Sequence, residues 1–270
     1  FKVTDDCGVV VKYMPEVPVH LVAGEESNMK LTYKEDTFLL DKLFQLRGSQ
    51  APDVPGKEHF GGRVAVVFGG SYGIGKDIAT ELRNAGAKVY SFSRSLTGTD
   101  VGNRRDVARA LKEVADKEGK IDYVINTAGV LNKEPLCSMD YSIIQAAVQT
   151  NYMGTVNVAL EAYNYLKQTQ GQLIFFTSSS YTRGRAFYSI YSSTKAAIVN
   201  FVQAIAQEWE SVGIRVNCIN PERTKTPMRV KNFGVEPDDT LLKSEVVAYA
   251  TVRCLMADYT GQVIDVKRQG

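Results

Sequence analysis

"RVAVVFGGSYGIGKDIATELRNAG", residues 63–86, holds the pattern that decides the fold. The apolar run at its start is typical of a strand buried on both faces, and the spacing after Gly75 predicts a helix ending at Gly86. Gly69, Gly73 and Gly75 lie between them. Absent side chains let the backbone turn tightly and approach a pyrophosphate at the helix N-terminus. A glycine string alone would also fit an ordinary turn, but its position between strand and helix indicates a dinucleotide-binding loop.

The same alternation of strand and helix continues downstream. Further strands are predicted at "KVYSFS" (88–93), "IDYVINTAG" (121–129), "GQLIFFTSS" (171–179) and "IRVNCINP" (214–221), with helices at 106–119, 140–168 and 191–213. Continuous apolar strands that alternate with helices imply a parallel sheet covered on both faces. The expected fold class is therefore α/β, a doubly wound parallel sheet of the Rossmann type.

Composition gives no reason to expect a nucleic-acid or membrane partner. The formal net charge is only +2, from 32 basic and 30 acidic residues. No apolar run approaches the roughly 18 residues of a membrane span, and the first residues are charged where a signal peptide would be apolar, so a cytoplasmic location is expected. The four cysteines, Cys7, Cys137, Cys218 and Cys254, form no CxxC pair, so neither a disulfide nor a metal site is expected.

A shift in composition at "RGSQAPDVPGKEHFGG", residues 47–62, predicts a linker. Upstream, "VPVHLVAGE" (17–25) and "NMKLT" (28–32) are interpreted as short strands. Thr32 and Glu35 form a T-x-x-E capping box that would open a helix over residues 33–46. The predicted organisation is thus a short αβ fragment of a second domain at 1–47, a linker at 48–60 and a main domain at 61–270.

The end of the second predicted strand bears on the choice of cofactor. An enzyme that uses NAD usually offers an acid about twenty residues past the glycines to hold the ribose hydroxyls. Here the stretch is "SFSRS", residues 91–95, and Arg94 would instead hold a 2′-phosphate. NADP is therefore favoured over NAD, unless Arg94 is simply a surface residue. Asp106 and Val107 in "RRDV" are expected after the third strand, bordering the adenine, although a solvated acid is the simpler interpretation of Asp106.

Proton-transfer chemistry is indicated by "YSIYSSTK", residues 188–195. Tyr191 and Lys195 are four apart on a predicted helix and share one face, so the ammonium should favour the ionised phenol. Ser178, at the carboxyl end of a predicted strand, would polarise a substrate oxygen. Any helix can show Y-x-x-x-K by chance. Tyr181 and Tyr188 lie in the same loop but have no lysine four residues on.

Combined with "NTAG" at 126–129, these features resemble the short-chain dehydrogenase/reductase family from Gly61 to the C-terminus. The resemblance implies catalytic roles for Ser178, Tyr191 and Lys195, and a proton-relay water held by Asn151. The cofactor residues that it implies are Gly69, Ser71, Gly73, Ile74, Gly75, Arg94, Asp106, Val107, Asn126, Ala128, Gly129, Tyr191, Lys195 and Pro221. It also implies a dimer or tetramer assembled through the two long helices.

Three positions depart from the family pattern. Phe68 replaces the usual threonine before the first glycine, and Tyr72 replaces a basic residue that often contacts the 2′-phosphate. Glu222 follows Pro221 where the family usually has glycine. The NADP prediction therefore depends mostly on Arg94.

Basic residues crowd the two segments expected to close over the carboxyl edge of the sheet, "TRGRAF" (182–187) and "ERTKTPMRVK" (222–231). Guanidinium groups suit a phosphate, so an anionic substrate is predicted, unless these side chains form a solvated face. The phosphate candidates are Arg183, Arg185, Arg223 and Lys225. The loop from Pro221 to about Asp239 is polar and is expected to lack an apolar helix, which favours a small sugar phosphate.

The upstream piece resembles the C-terminal end of sugar-phosphate cytidylyltransferases of the methylerythritol-phosphate type, with Lys30 in the motif "N-x-K-x-T…ED". A transferase tail ahead of a reductase resembles the bifunctional enzymes of capsule and cell-wall polymer synthesis that join a ribulose-5-phosphate reductase to a CDP-ribitol pyrophosphorylase. This implies NADPH-dependent reduction of D-ribulose 5-phosphate to D-ribitol 5-phosphate. It also implies that Phe1 begins a piece of a longer polypeptide whose transferase domain is the partner.

Three alternatives stay open at the level of sequence. One is reduction of another oxo substrate, such as a 3-oxoacyl thioester, because the catalytic residues do not encode the substrate. A second is a catalytically idle dinucleotide-binding module, and a third is cytidylyl transfer by this chain itself. The third is not expected, since the upstream residues include no glycine-rich nucleotide loop.

Overall fold

A computed structural model of the protein describes residues 6–20, 22–24, 30–37, 39–40 and 60–268. The chain divides into two compact units, Phe1–Phe44 and Gln45–Gly270. In chain order, the helices and strands are α1 (Asp6–Tyr13), β1 (Val64–Phe68), α2 (Gly73–Asn84), β2 (Lys88–Phe92), α3 (Arg94–Thr97), α4 (Arg104–Glu118), β3 (Tyr123–Asn126), α5 (Tyr141–Val148), a π-helical segment (Gln149–Met153), α6 (Gly154–Thr169), β4 (Gln172–Phe176), α7 (Ser189–Trp209), β5 (Arg215–Pro221), α8 (Pro227–Phe233), α9 (Ser244–Cys254) and β6 (Val263–Val266).

The six strands form one parallel sheet in the order β2-β1-β3-β4-β5-β6. Phe68 of β1 pairs in register with Phe92 of β2 and with Asn126 of β3, so these strands end at one level. The chain runs from β1 to β2 on one side and then crosses to β3 on the other, which opens a crevice at their carboxyl ends. Ligands of open α/β sheets bind at such a switch point.

Alternate residues of each strand serve two separate cores, as the doubly wound fold requires. Val64, Val66 and Phe68 of β1 pack into the hydrophobic cluster on one face of the sheet. Ala65 and Val67 pack into the cluster on the other face. Every residue of β1 is buried. The apolar run in the sequence was therefore a correct indication of a strand covered on both faces.

The predicted helix at 140–168 is divided by the π-helical segment Gln149–Met153, which lies between α5 and α6. Single π turns within helices are common at functional sites because they displace the following face. The segment carries Asn151, whose side chain is almost fully buried.

The loop after Pro221 was expected to lack an apolar helix, and the structure places there a short helix that carries two cations and no buried residue. Helix α8 begins at Pro227, and the Thr226 hydroxyl accepts a hydrogen bond from the Arg229 backbone amide at 3.2 Å. A threonine N-cap followed by proline at the first helical position favours a helix start. Met228 and Phe233 make this helix partly apolar.

The first unit differs from its sequence-based prediction. Helix α1 was not predicted, and residues 17–20, 22–24 and 30–32 form no strand. A strand needs a neighbour for its backbone hydrogen bonds, and Pro18 lacks a donor. The cap of the following helical turn also differs, because Asp36 rather than Glu35 accepts the amides of Thr32 and Tyr33, at 2.9 and 2.8 Å. Most of the predicted linker and the predicted helix residues 41–46 lie outside the described residues.

No helix in the described part of the chain combines the length and apolar character needed to cross a membrane.

Candidate active site

The glycine loop is pressed against the residue that follows β3. Gly69 has φ of +82°, and a Cβ there would lie 2.5 Å from the Thr127 hydroxyl oxygen. A Cβ on Gly75 would lie 2.4 Å from the same oxygen and from the Gly69 carbonyl oxygen. Larger residues at either position would displace the loop. This close packing leaves the backbone of the loop exposed to a cavity at the N-terminus of α2.

The dinucleotide cavity, about 350 Å³ in volume, runs along the carboxyl edge of the sheet from Arg94 to Lys195. The predicted cofactor residues that line it are Gly69, Ser71, Gly73, Ile74, Gly75, Arg94, Ala128, Gly129, Tyr191, Lys195 and Pro221. A glycine cradle at a helix N-terminus suits a pyrophosphate, and an elongated cavity beyond it suits the rest of a dinucleotide. The residues present therefore fit a nicotinamide dinucleotide.

The prediction that Asp106 and Val107 border the adenine is wrong. Both lie in the first turn of α4, before β3 rather than after it. The Asp106 carboxylate accepts the Asp100 amide at 3.1 Å and pairs with Arg109 at 2.9 Å, while Val107 is fully buried in the core. Asp100 lines the dinucleotide cavity instead.

Sequence reasoning missed the segment "TDV", residues 99–101, all of which line the dinucleotide cavity. The segment could have been identified from its position just after the glycine turn that ends α3. A loop that follows the carboxyl end of β2 must border the crevice. Asn126 is buried and lies behind the cavity wall. Its side-chain oxygen accepts the Ala128 backbone amide at 3.1 Å, which fixes the wall that Ala128 and Gly129 form.

Tyr191 and Ser178 are brought together at the border between the dinucleotide cavity and a second cavity. The Tyr191 phenol is hydrogen-bonded to the Ser178 hydroxyl, which lowers the phenol pKa. Burial has the larger effect and raises the pKa of Tyr191 to about 12. The phenol therefore carries its proton at neutral pH, the form needed to protonate a carbonyl oxygen.

Lys195 lies beneath Tyr191, with Nζ 5.6 Å from the centroid of the phenol ring. Nζ donates to the Phe176 carbonyl at 2.8 Å, and burial lowers the lysine pKa to about 8. The expectation that the ammonium would lower the tyrosine pKa is wrong for this structure, because loss of hydration raises that pKa and the opposing effect comes from the Ser178 hydrogen bond.

Asn151 uses its side chain to fix the loop after β3. Its Oδ1 accepts the Val130 amide at 2.8 Å, and its Nδ2 donates to the Val130 carbonyl at 3.0 Å and to the Thr194 hydroxyl at 3.3 Å. A Cβ on Gly129 would lie 3.4 Å from Asn151 Oδ1 and 3.7 Å from Lys195 Nζ. The structure thus places Asn151 near Lys195, and its relay role stays a prediction.

The substrate cavity, about 320 Å³, adjoins the dinucleotide cavity and shares Tyr191 with it. Of the four predicted phosphate residues, Arg185 and Arg223 line this cavity, whereas Arg183 and Lys225 do not. Lys225 is neutralised by Asp238, with Nζ 2.7 Å from the carboxylate. The apolar side of the cavity comes from Leu131, Tyr188, Met228 and Phe233, and Tyr188 packs edge-on against Phe233.

Two further features of this cavity affect its charge. Arg229 also lines it, but its guanidinium makes a two-pronged ion pair with Glu236 at 2.7 and 2.9 Å and lies 4.0 Å over the Phe233 ring. Glu222 lines the cavity and accepts the Arg268 backbone amide at 3.0 Å. Arg185 and Arg223 are therefore the cations lining this cavity that make no direct ion pair among the described residues. Arg229 and, to a smaller extent, Arg223 lower the pKa of Glu236.

Cys218 and Cys254 are buried, and burial raises the pKa of each thiol to about 12, whereas Cys7 and Cys137 are exposed. Across the described residues, no cluster of histidine, cysteine and acidic side chains could hold a metal ion.

Comparison with known proteins agrees with this geometry. The chain is 49% identical over 267 residues to the bifunctional ribulose 5-phosphate reductase/CDP-ribitol pyrophosphorylase Bcs1 of Haemophilus influenzae, covering 97% of this chain and 56% of that protein. This chain therefore spans about half the length of that relative. A short-chain type dehydrogenase/reductase from Mycobacterium ulcerans has a TM-score of 0.71 at 26% identity, covering 77% of this chain and 89% of that one.

The fold is shared more widely. The 3-ketoacyl-(acyl-carrier-protein) reductase of Brucella melitensis, solved with NADH, superposes with a TM-score of 0.71 at 22% identity, over 77% of this chain and 97% of that chain. Residues 63–235 match the family described as short chain dehydrogenase. With the parallel sheet, the glycine loop and the placement of Ser178, Tyr191 and Lys195, this match shows that the chain belongs to the short-chain dehydrogenase family.

Proposed function

We propose that this chain reduces a sugar-phosphate ketone with NADPH, converting D-ribulose 5-phosphate to D-ribitol 5-phosphate for CDP-ribitol synthesis. The observation that carries the proposal is the pair Arg185 and Arg223, which line the same cavity as Ser178 and Tyr191. Two guanidinium groups that make no direct ion pair suit a phosphate group, since charge-assisted hydrogen bonds to both can form. The activity in the name of the Haemophilus influenzae relative supports the same substrate.

The proposed chemistry uses the side chains in the states that the structure gives them. When bound, NADPH supplies the hydride that the ketone carbon receives. Tyr191 gives its phenol proton to the ketone oxygen, while Ser178 holds that oxygen by a hydrogen bond. Lys195 lines the dinucleotide cavity and is assigned the bond to the nicotinamide ribose, and Asn151 is assigned the water that returns a proton to Tyr191. The ketone thus becomes an alcohol, with one hydride at carbon and one proton at oxygen.

The preference for NADPH over NADH depends on Arg94 at the end of β2. Its side chain is exposed, lines the dinucleotide cavity and has no acidic partner among the described residues. A guanidinium there favours a 2′-phosphate, whereas an acid would favour free ribose hydroxyls.

The wider context is part of the proposal. Residues 1–47 are proposed as the end of a cytidylyltransferase domain, 48–60 as a linker and 61–270 as the reductase domain of one polypeptide. The match across 97% of this chain to a bifunctional relative supports this arrangement. A homodimer or homotetramer in the cytoplasm is proposed by resemblance to the family.

The test is an assay of nicotinamide absorbance with purified protein, NADPH and ribulose 5-phosphate. We expect NADPH to be consumed with ribulose 5-phosphate, and much more slowly with unphosphorylated ribulose or with a 3-oxoacyl thioester. Tyr191→Phe should reduce turnover by about 10²- to 10⁴-fold while NADPH still binds, because it removes only the proton donor. Preference for the thioester would overturn the sugar-phosphate assignment, and full turnover by Tyr191→Phe would overturn the mechanism.

Arginine variants localise the phosphate within the same assay. Arg185→Gln and Arg223→Gln should each raise KM for ribulose 5-phosphate by about tenfold, the loss expected for one charged hydrogen bond. Arg183→Gln is the matched control, because Arg183 lies in the same loop but does not line the cavity. Equal effects of all three variants would show that general positive charge, rather than a built phosphate site, attracts the substrate.

A further inference from the structure

Helix α8 lines two cavities and contributes a different pair of side chains to each. Arg229 and Phe233, four residues apart, line the substrate cavity. Pro227 and Lys231, also four residues apart, line a third cavity of about 340 Å³, which we call the outer cavity. Because residues four apart share one side of a helix, α8 turns one face to the substrate and the other to the outer cavity.

The outer cavity is continuous with the dinucleotide cavity. Their shared lining residues are Tyr72, Arg94, Gly129, Thr150 and Met228. The start of α8 also lies against the glycine loop, since a Cβ on Gly73 would be 3.5 Å from the Thr226 side chain and 3.7 Å from Pro227 Cδ. Arg94 and Lys231 therefore both border the outer cavity, which opens into the dinucleotide cavity.

Lys231 differs from two other cations of its segment, because it makes no direct ion pair among the described residues. Arg229 is paired with Glu236, and Lys225 is paired with Asp238. Lys231 and Arg94 are both exposed, and within the described residues neither has an acidic partner. Two unneutralised cations facing one cavity fit a doubly charged anion better than a neutral group.

We propose that Lys231 is a specificity-determining residue that binds the 2′-phosphate of NADPH together with Arg94. The inference rests on the proposed use of NADPH and adds a residue that the glycine loop does not supply, since Tyr72 offers no charge there. Because Lys231 stands on the helix that also lines the substrate cavity, the cofactor phosphate would hold α8 in place over the substrate.

The test measures binding of adenosine 2′,5′-bisphosphate and of AMP by calorimetry on the full chain. The two probes differ by the 2′-phosphate alone and need no substrate or turnover. The wild-type protein should bind the bisphosphate more tightly than AMP. Lys231→Met should weaken binding of the bisphosphate by about tenfold, because one charged contact is lost, and should leave the affinity for AMP unchanged. Lys231→Arg should restore most of the difference.

Lys243→Met is the matched control, since this exposed lysine lines none of the three cavities and should change neither affinity. Equal weakening of both probes by Lys231→Met, or no change in either, would overturn the inference. A wild-type protein that does not distinguish the probes would overturn the proposed NADPH preference and the role of Lys231 with it. Clear discrimination by the wild type that survives in Lys231→Met would overturn the role of Lys231 alone.

Discussion

At the scale of single residues, burial decides the protonation states of the two central groups. It raises the pKa of Tyr191 to about 12 and lowers the pKa of Lys195 to about 8. Both shifts have the same cause, since loss of hydration disfavours the charged form of either group. At pH 7 the phenol is neutral and Lys195 is mostly charged. The arrangement therefore suits a reductase, which begins its cycle with a proton on the tyrosine.

The buried lysine predicts a specific pH dependence of stability. In the unfolded chain Lys195 has its ordinary pKa of 10.5, and in the folded chain about 8. Between these values the unfolded state binds more protons, so the free energy of unfolding rises with pH over that interval and is level below it. The free energy of unfolding of the wild type minus that of Lys195→Met should therefore increase from pH 8 to pH 10.

Denaturant unfolding of the two proteins at several pH values measures this difference. Subtracting the Lys195→Met curve removes the titration of other groups, including Tyr191. The variant should also lose turnover at every pH. A difference that is constant from pH 7 to pH 10 would show that Lys195 keeps an ordinary pKa in the folded chain.

At the scale of elements, helix α8 over the substrate cavity was not predicted from the sequence. The helix is seven residues long, in a polar segment, so its apolar period was too short to detect. Local signals were nevertheless present, because Thr226 followed by Pro227 is typical of a helix start. What the sequence could not indicate is which cations are neutralised. Pairing of Lys225 with Asp238 and of Arg229 with Glu236 depends on how the segment folds back.

The ion pair between Arg229 and Glu236 should hold α8 over the substrate cavity. Both side chains are only partly exposed, at 18% and 21%, and the guanidinium lies against Phe233. Glu236→Gln should lower Tm and raise KM for ribulose 5-phosphate, since an unpaired Arg229 would no longer fix the helix. Arg229 lowers the pKa of Glu236, so the stabilising contribution is present above the ordinary carboxyl pKa and lost as the pH falls through the lowered value.

Asp238→Asn provides the comparison for this effect. It breaks the ion pair between Asp238 and Lys225. The Lys225 and Asp238 side chains are 54% and 75% exposed, and exposed ion pairs contribute little to stability. The Tm difference between wild type and Glu236→Gln should shrink in acid, whereas Asp238→Asn should have a small effect at every pH. Similar Tm and KM values for the two variants at pH 7 would contradict a holding role for the partly buried pair.

At the scale of the whole molecule, the alternation of strands and helices predicted the sheet, because each strand must be apolar on both faces to be covered on both. Strand β6 and helix α9 were not identified, although β6 pairs with β5 and completes the sheet. Ser178, Tyr191 and Lys195 were singled out from their spacing and position, whereas their roles and that of Asn151 came from the resemblance to the family. Asp106 was predicted to follow the third strand, but it precedes β3 and lies in the first turn of α4.

The two compact units predict that reductase activity belongs to the second unit alone. The residues that line the dinucleotide, substrate and outer cavities lie between Gly69 and Phe233, and both hydrophobic cores draw on residues from Phe60 onward. A fragment of residues 45–270 should therefore keep the kcat and KM of the full chain with NADPH and ribulose 5-phosphate, and its thermal unfolding should retain the same main transition.

The boundary of the reductase unit can be located in the same fragment. Phe60, at the end of the predicted linker, is fully buried and packs edge-on against Tyr123 with ring centroids 5.6 Å apart. Phe60→Ala should cost about 3–5 kcal/mol of unfolding free energy, because it opens a cavity beneath the sheet. A reductase unit that truly begins at Gly61 would tolerate the change without loss. Turnover missing from a fully folded 45–270 fragment would instead mean that the first unit contributes to the active site.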